Sequence, residues 1–166
     1  MTAIFSADRT HRFILSRGPA VAPYVLYIGL NPSDADEAKE DPTTRRLDGF
    51  ARSWGFIHWQ IGNLSAFVSS DPKALVHRPQ DVTILAQENW YLARAIENAT
   101  LIVPCWGDGA KYLGKDQRTR RPEQVLMLCT GHEHKLRHLG MTRNMQPKHP
   151  LYLRADTPLQ YWCDLA

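Results

Sequence analysis

Gly29-Leu30-Asn31-Pro32-Ser33 is the segment of this chain best suited to hold a reacting group. Gly29 allows close backbone approach, Pro32 fixes the turn, and Asn31 projects between them. An asparagine is no strong base, but its amide can orient a water or bond the edge of a nucleobase. It can equally do no more than close an Asn-Pro turn. Asn63, in Trp59-Gln60-Ile61-Gly62-Asn63-Leu64, is a second amide in apolar surroundings, and two such amides could position a water and read a base. Alone, Asn63 reads as a satisfied core asparagine that bonds neighbouring backbone. His149 lies in the stiff Pro147-Lys148-His149-Pro150, where an imidazole could donate one hydrogen bond to a developing anion. The carboxylates that follow Ser33, among them Asp34, Asp36 and Asp41, could activate water or hold a hard cation such as Mg²⁺. No established metal motif is matched there, and Cys129-x2-His132-x-His134-x3-His138 is not a standard zinc spacing.

These residues need elements to hold them, and the pattern supplies some. Tyr24 to Leu30 is short, β-branched and aromatic, and apolar on both faces, which predicts a buried and parallel strand ending at Asn31-Pro32. Asp41 can cap a helix with Pro42 in its first turn and Leu47, Phe50, Ala51 and Trp54 on one face, stopped by Gly55. A second strand is expected at 59–64. A long helix follows from about Asp81 to Asn98, with Leu85, Leu92, Ala93 and Ile96 on one face. Leu101–Trp106 reads as a third strand, closed by Gly107-Asp108-Gly109 and a short helix, and Val125–Cys129 as a fourth. His11–Leu15 alternates weakly and suits an edge strand or hairpin arm. The alternation predicts an α/β chain, a three-layer α/β/α sandwich with a mostly parallel central sheet. In such sheets ligands bind beyond the carboxyl ends of strands, where Asn31, Asn63, Trp106 and His149 would gather. Trp106 could stack on a base there or belong to the core.

At 166 residues the chain is expected to form one domain, 1–166, and its 43% hydrophobic content excludes a disordered or collagen-like chain. No run reaches the ~20 apolar residues of a membrane span, and no secretory leader is visible, so a cytoplasmic monomer is expected, without a membrane partner. Cys105, Cys129 and Cys163 are too few and too widely spaced for a disulfide framework. A net charge of +3 is modest, but basic residues gather at Arg118, Arg120 and Arg121 and from Lys135 to Lys148. Such runs suit a solvated surface or phosphate partners.

Over nearly its whole length the chain resembles the bacterial and phage family called domain of unknown function 1643. The resemblance is carried by Leu30-Asn31-Pro32-Ser33-Asp34-Ala35-Asp36, Asp41-Pro42-Thr43-Thr44-Arg45-Arg46, Gly49 to Phe56 and Asn63-Leu64-Ser65-Ala66-Phe67. It continues through Asp71 to Leu75, Trp106-Gly107 and His149-Pro150-Leu151-Tyr152-Leu153, with Met145 where the family usually has glycine. More distantly, Ile28-Gly29-Leu30-Asn31-Pro32 resembles the first motif of the uracil-DNA glycosylase superfamily, with Ser33 in place of a usual glycine. That resemblance implies a uracil-DNA glycosylase-like fold and a DNA N-glycosylase that removes a modified or mismatched base without a cofactor. Asn31 would then orient water with Asp34 or Asp36 as helpers, and His149 would aid the departing base. Asn63, Pro32 and Trp106 would contact the base, and Arg45, Arg46, Ser33, Arg120 and Lys148 the phosphates of single- or double-stranded DNA. Two alternatives stand beside it: a hydrolase of free nucleosides or nucleotides, which the acidic cluster favours, and a non-catalytic nucleic-acid-binding module of the same fold.

Overall fold

The computed structural model describes residues 2–21, 23–33, 40–77, 81–115, 117 and 120–162. Seven strands and three α-helices run in the order β1 (Thr2–Phe5), β2 (Arg12–Arg17), β3 (Tyr24–Gly29), α1 (Pro42–Ser53), β4 (His58–Asn63), α2 (Val82–Asn98), β5 (Leu101–Pro104), α3 (Arg120–Met127), β6 (Arg137–His138) and β7 (Gln160–Tyr161) among those residues. The main sheet has the order β1-β2-β4-β3-β5. β3 is parallel to both β4 and β5, whereas β1 with β2 and β2 with β4 are antiparallel. β6 and β7 form a separate antiparallel pair, and an isolated parallel bridge joins Leu136 to Ile102 of β5. The sheet is therefore mixed, not mostly parallel. The N-terminal hairpin enters it through β2, which is an internal strand and not an edge.

Helices pack on both faces because β3 carries apolar side chains on both. Val25 and Tyr27 meet Leu47, Phe50 and Ala51 of α1, and Tyr24, Leu26 and Ile28 meet Leu92, Ala95 and Ile96 of α2. Tyrosines tie each layer to the sheet, the Tyr27 hydroxyl donating to Leu47 O at 3.0 Å and that of Tyr24 to Ala95 O at 2.8 Å. Both long helices start as the sequence predicts. The Asp41 carboxylate accepts from the Thr44 amide while Thr44 Oγ1 accepts from the Asp41 amide, a reciprocal cap. Asp81 Oδ1 accepts from Thr83 and Ile84 N–H.

The fourth expected strand is not one. Val125 to Met127 lies in α3, where Arg121 and Val125 are buried at four-residue spacing, continued by Cys129 in the turn that follows, while Met127 is 73% exposed. A short run of Val, Leu and Met suits either element, and here the buried period is that of a helix. Among the described residues no helix is long and apolar enough to cross a membrane.

α3 also delivers Arg121, 2% exposed, to the chain leaving β4. Its Nε donates to Leu64 O at 2.7 Å, and its Nη1 and Nη2 reach Asn89 Oδ1 and Glu88 Oε2 at 2.6 and 3.3 Å. Glu88 Oε1 in turn accepts from the Ala66 amide at 2.5 Å. Burial pushes the Glu88 carboxyl upward, and Arg121 and the Ala66 amide oppose that. Removing one member of such a pair strands the other charge in the interior, which typically costs 3–5 kcal/mol. Arg121→Met is accordingly expected to lower unfolding free energy in urea by about 3 kcal/mol or more. A loss below about 1 kcal/mol would show that the pair holds nothing in place.

Candidate active site

A cavity of about 550 Å³ opens where β3, β4 and β5 end. Its floor follows from register: Gly29, the last residue of β3, lies opposite Asn63, the last of β4. A Cβ on Gly29 would stand 2.7 Å from Asn63 Oδ1, so only glycine leaves that amide its place. Beyond the strands the chains stay together, Leu64 and Ser65 N–H donating to Gly29 and Leu30 O at 2.9 Å each. Asn63 is 4% exposed, and among the described residues its buried Nδ2 has no hydrogen-bond partner. A buried amide left this way is costly unless something else completes it.

Asn31 sits on one wall with its amide nitrogen fully committed. Nδ2 donates to Pro32 O at 3.0 Å, Ser69 O at 2.8 Å and, more weakly, Phe67 O at 3.4 Å. Among the described residues nothing donates to Oδ1, which is thus a fixed acceptor. Pro32 is buried, accepts from the Ser69 amide and does not line the cavity. Ser33 does line it, and its Oγ donates to Asp41 Oδ2. Asp34 and Asp36 lie outside the described residues.

His149 also lines the cavity, brought there by the 141–149 hairpin. Gly107, at φ +62°, donates its N–H to Pro147 O at 2.8 Å, and a Cβ there would come within 3.2 Å of His149 Cβ. Asp108 Oδ1 accepts from Thr142 Oγ1 at 2.7 Å, and Trp106 Nε1 donates to Gln146 Oε1 at 2.7 Å. Trp106 lines the cavity but is 3% exposed and belongs to the core around α2. His149 Nδ1 accepts from the Leu151 amide at 3.3 Å, so the neutral ring carries its proton on Nε2. Burial pushes its pKa below 6.5, partly offset by Asp41.

Asp41 and Arg12 complete the polar lining near His149. Burial raises the Asp41 carboxyl, but the Ser33 hydroxyl, Thr44 and the Arg12 guanidinium outweigh it and hold it below the usual carboxylate range. The four basic residues expected to meet phosphates are elsewhere. Arg45, Arg120 and Lys148 are exposed, Arg46 lies over the Phe50 ring at 5.4 Å, and none lines the cavity. The lining cations are instead Arg12 and Lys111. A charge heading the apolar run 13–15 was the one available signal for Arg12; Lys111, Asp108 and Tyr152 gave none. Among the described residues no three His, Cys, Asp or Glu side chains converge as a metal site, Cys129 being buried against Val125 O.

The ring of His149 provides a direct check on this geometry. Its NMR titration is expected to have a midpoint below 6.5 with the proton on Nε2 in the neutral form. Because the unfolded chain takes up this proton first, stability falls as pH drops below about 6.5 through the lowered folded value. A midpoint above 6.5 would mean that the imidazolium, not the neutral ring, is favoured here.

Neither the curated proteins nor the solved structures contain a match to this chain. The likeness to uracil-DNA glycosylases thus stands on short motifs alone. One family model does match, over residues 12–151, and it spans every residue that lines the cavity except Tyr152. Its description is protein of unknown function (DUF1643), and the chain belongs to that family.

Proposed function

We propose that the protein hydrolyses an N-glycosidic bond, taking a modified or mismatched base extruded from DNA into the cavity at the ends of β3, β4 and β5. With this reading goes the expectation of a uracil-DNA glycosylase-like architecture. The observation that carries it is Asn63, a buried amide with an unpartnered Nδ2 lining a cavity between Asn31 and His149. Breaking such a bond leaves positive charge on the sugar and negative charge on the base. Asn63 Nδ2 and His149 Nε2 are neutral donors suited to the base, and they lose nothing to an ion already present. Asn31 Oδ1 accepts from a water and orients it. The water oxygen bonds to the anomeric carbon, the carbon–nitrogen bond breaks with its electron pair on the base, and the released proton neutralises the base or passes to solvent. About 550 Å³ suits a ligand of nucleotide size. Extruding the base costs a few kcal/mol, least where it is already mispaired.

One observation favours a second substrate, a free nucleoside or nucleotide. Arg45, Arg46, Arg120 and Lys148 do not line the cavity, and Asp41 and Asp108 there offset Arg12 and Lys111, so its lining offers no excess of positive charge to a continuous phosphate chain. One assay separates the two. Labelled single- and double-stranded oligonucleotides with uracil, hypoxanthine, mismatched thymine or hypermodified pyrimidines are tested beside the matching nucleosides and nucleotides. Alkali-labile abasic sites are expected on DNA; free base from the small molecules alone would transfer the activity to them. Steeply salt-dependent DNA binding without product would indicate a non-catalytic module. Asn31→Ala would also release the segment 67–69 that its Nδ2 holds, so Asn63→Ala is the cleaner probe. It should reduce turnover by about 100-fold or more in a folded protein, and undiminished turnover would rule out the assigned role.

A further inference from the structure

Asp41 is held more firmly than a helix cap requires. Capping takes one side-chain oxygen, and a neutral Asn or Ser serves as well as Asp. Asp81, the cap of α2, shows that minimum: it is exposed and uses Oδ1 alone. At Asp41, Oδ1 accepts from the Thr44 amide at 2.7 Å, while Oδ2 takes a separate donor, Ser33 Oγ. The Arg12 guanidinium, 3% exposed, acts on the carboxylate from the sheet side. A half-buried charge is expensive to keep, and three groups, from a loop, the first turn of α1 and β2, converge to keep this one. The carboxylate lines the same cavity as Asn31 and His149.

We infer that Asp41 is a catalytic residue, the fixed negative charge that faces the cationic sugar as the N-glycosidic bond breaks, in addition to capping α1. The inference rests on the reading proposed above and names a carboxylate for it among the described residues. Asp41 is poorly suited to take the proton of the attacking water. Both oxygens already accept hydrogen bonds, and a carboxylate held below its ordinary range is a weak base near neutral pH. Its charge, by contrast, acts at full strength throughout the neutral range and needs no proton transfer. It lowers the barrier as water oxygen bonds to the anomeric carbon and the base leaves with the electron pair.

Asp41→Asn isolates the charge, since Asn caps a helix as well as Asp. Asp81→Asn makes the same change at a cap outside the cavity and serves as the control. On whichever DNA or nucleoside the wild type cleaves, Asp41→Asn should lower kcat about 100-fold with KM little changed in a folded protein, its Tm reduced because the charge that Arg12 and Ser33 stabilise is gone. Asp41→Ser, which also caps, should lose as much, and Asp81→Asn should match the wild type. The His149 midpoint should move further down in Asp41→Asn, because the charge that now opposes burial is gone. Turnover within about threefold of wild type in Asp41→Asn would overturn the role of Asp41 and leave the proposed reaction standing. A wild type inert on every DNA and small molecule in the panel would overturn both.

Discussion

The register of β3 against β4 sets Gly29 opposite Asn63, and the candidate site depends on that one pairing. Shifting a strand by one residue turns every side chain to the other face. Here it would carry Asn63 into a helix layer and present Gly62, whose missing side chain is filled by Leu92 of α2. Two glycines therefore lock the same register from opposite sides. Gly62 admits α2 to one face of β4, and Gly29 admits the amide to the floor of the cavity. The apolar alternation of β3, shared between α1 and α2, makes any slip costly on both faces at once.

Two further devices extend this control beyond the strand ends. Glu88 and Arg121 bind the backbone of Leu64 and Ala66, so the chain leaving Asn63 is fixed by charge where packing alone would let it move. On the other side, Gly107, Asp108 and Trp106 each make one bond to the 141–149 hairpin and bring His149 to face the cavity. A turn residue of that hairpin, Met145, adopts φ +55°, a conformation more often given to glycine, and is 60% exposed. Strain of this kind persists where the surroundings over-determine the backbone, and the bonds to Gln146, Thr142 and Pro147 do that here.

Much of this was legible in the sequence because it is local. Asp41-Pro42 and Asp81 announce their helices, Asn31, Asn63 and Trp106 each end or follow an apolar run, and His149 stands out between two prolines. The carboxyl-end rule then groups Asn31, Asn63 and Trp106 without knowledge of contacts; the structure sets all three around one cavity with His149, which arrives by way of a hairpin and not from the strand expected at 125–129. What was hidden depends on partners far away in the chain. Arg12 begins a strand that reads as an edge, but β4 covers its other side and places the guanidinium indoors. Arg121 looks like one of a basic run, and only the approach of α2 reveals its match with Glu88. The segment 125–129 was misread because five apolar residues cannot distinguish a period of two from one near four.

The proposed chemistry requires Asn63 to be an amide that waits for a ligand's acceptor. Side-chain amide NMR of Asn63, titrated with free nucleobases and nucleosides, tests this without requiring turnover. A saturable shift of the Asn63 amide protons, accompanied by His149 Nε2–H, is the predicted result. Shifts confined to other parts of the protein, with the Asn63 and His149 signals unmoved at saturation, would contradict it.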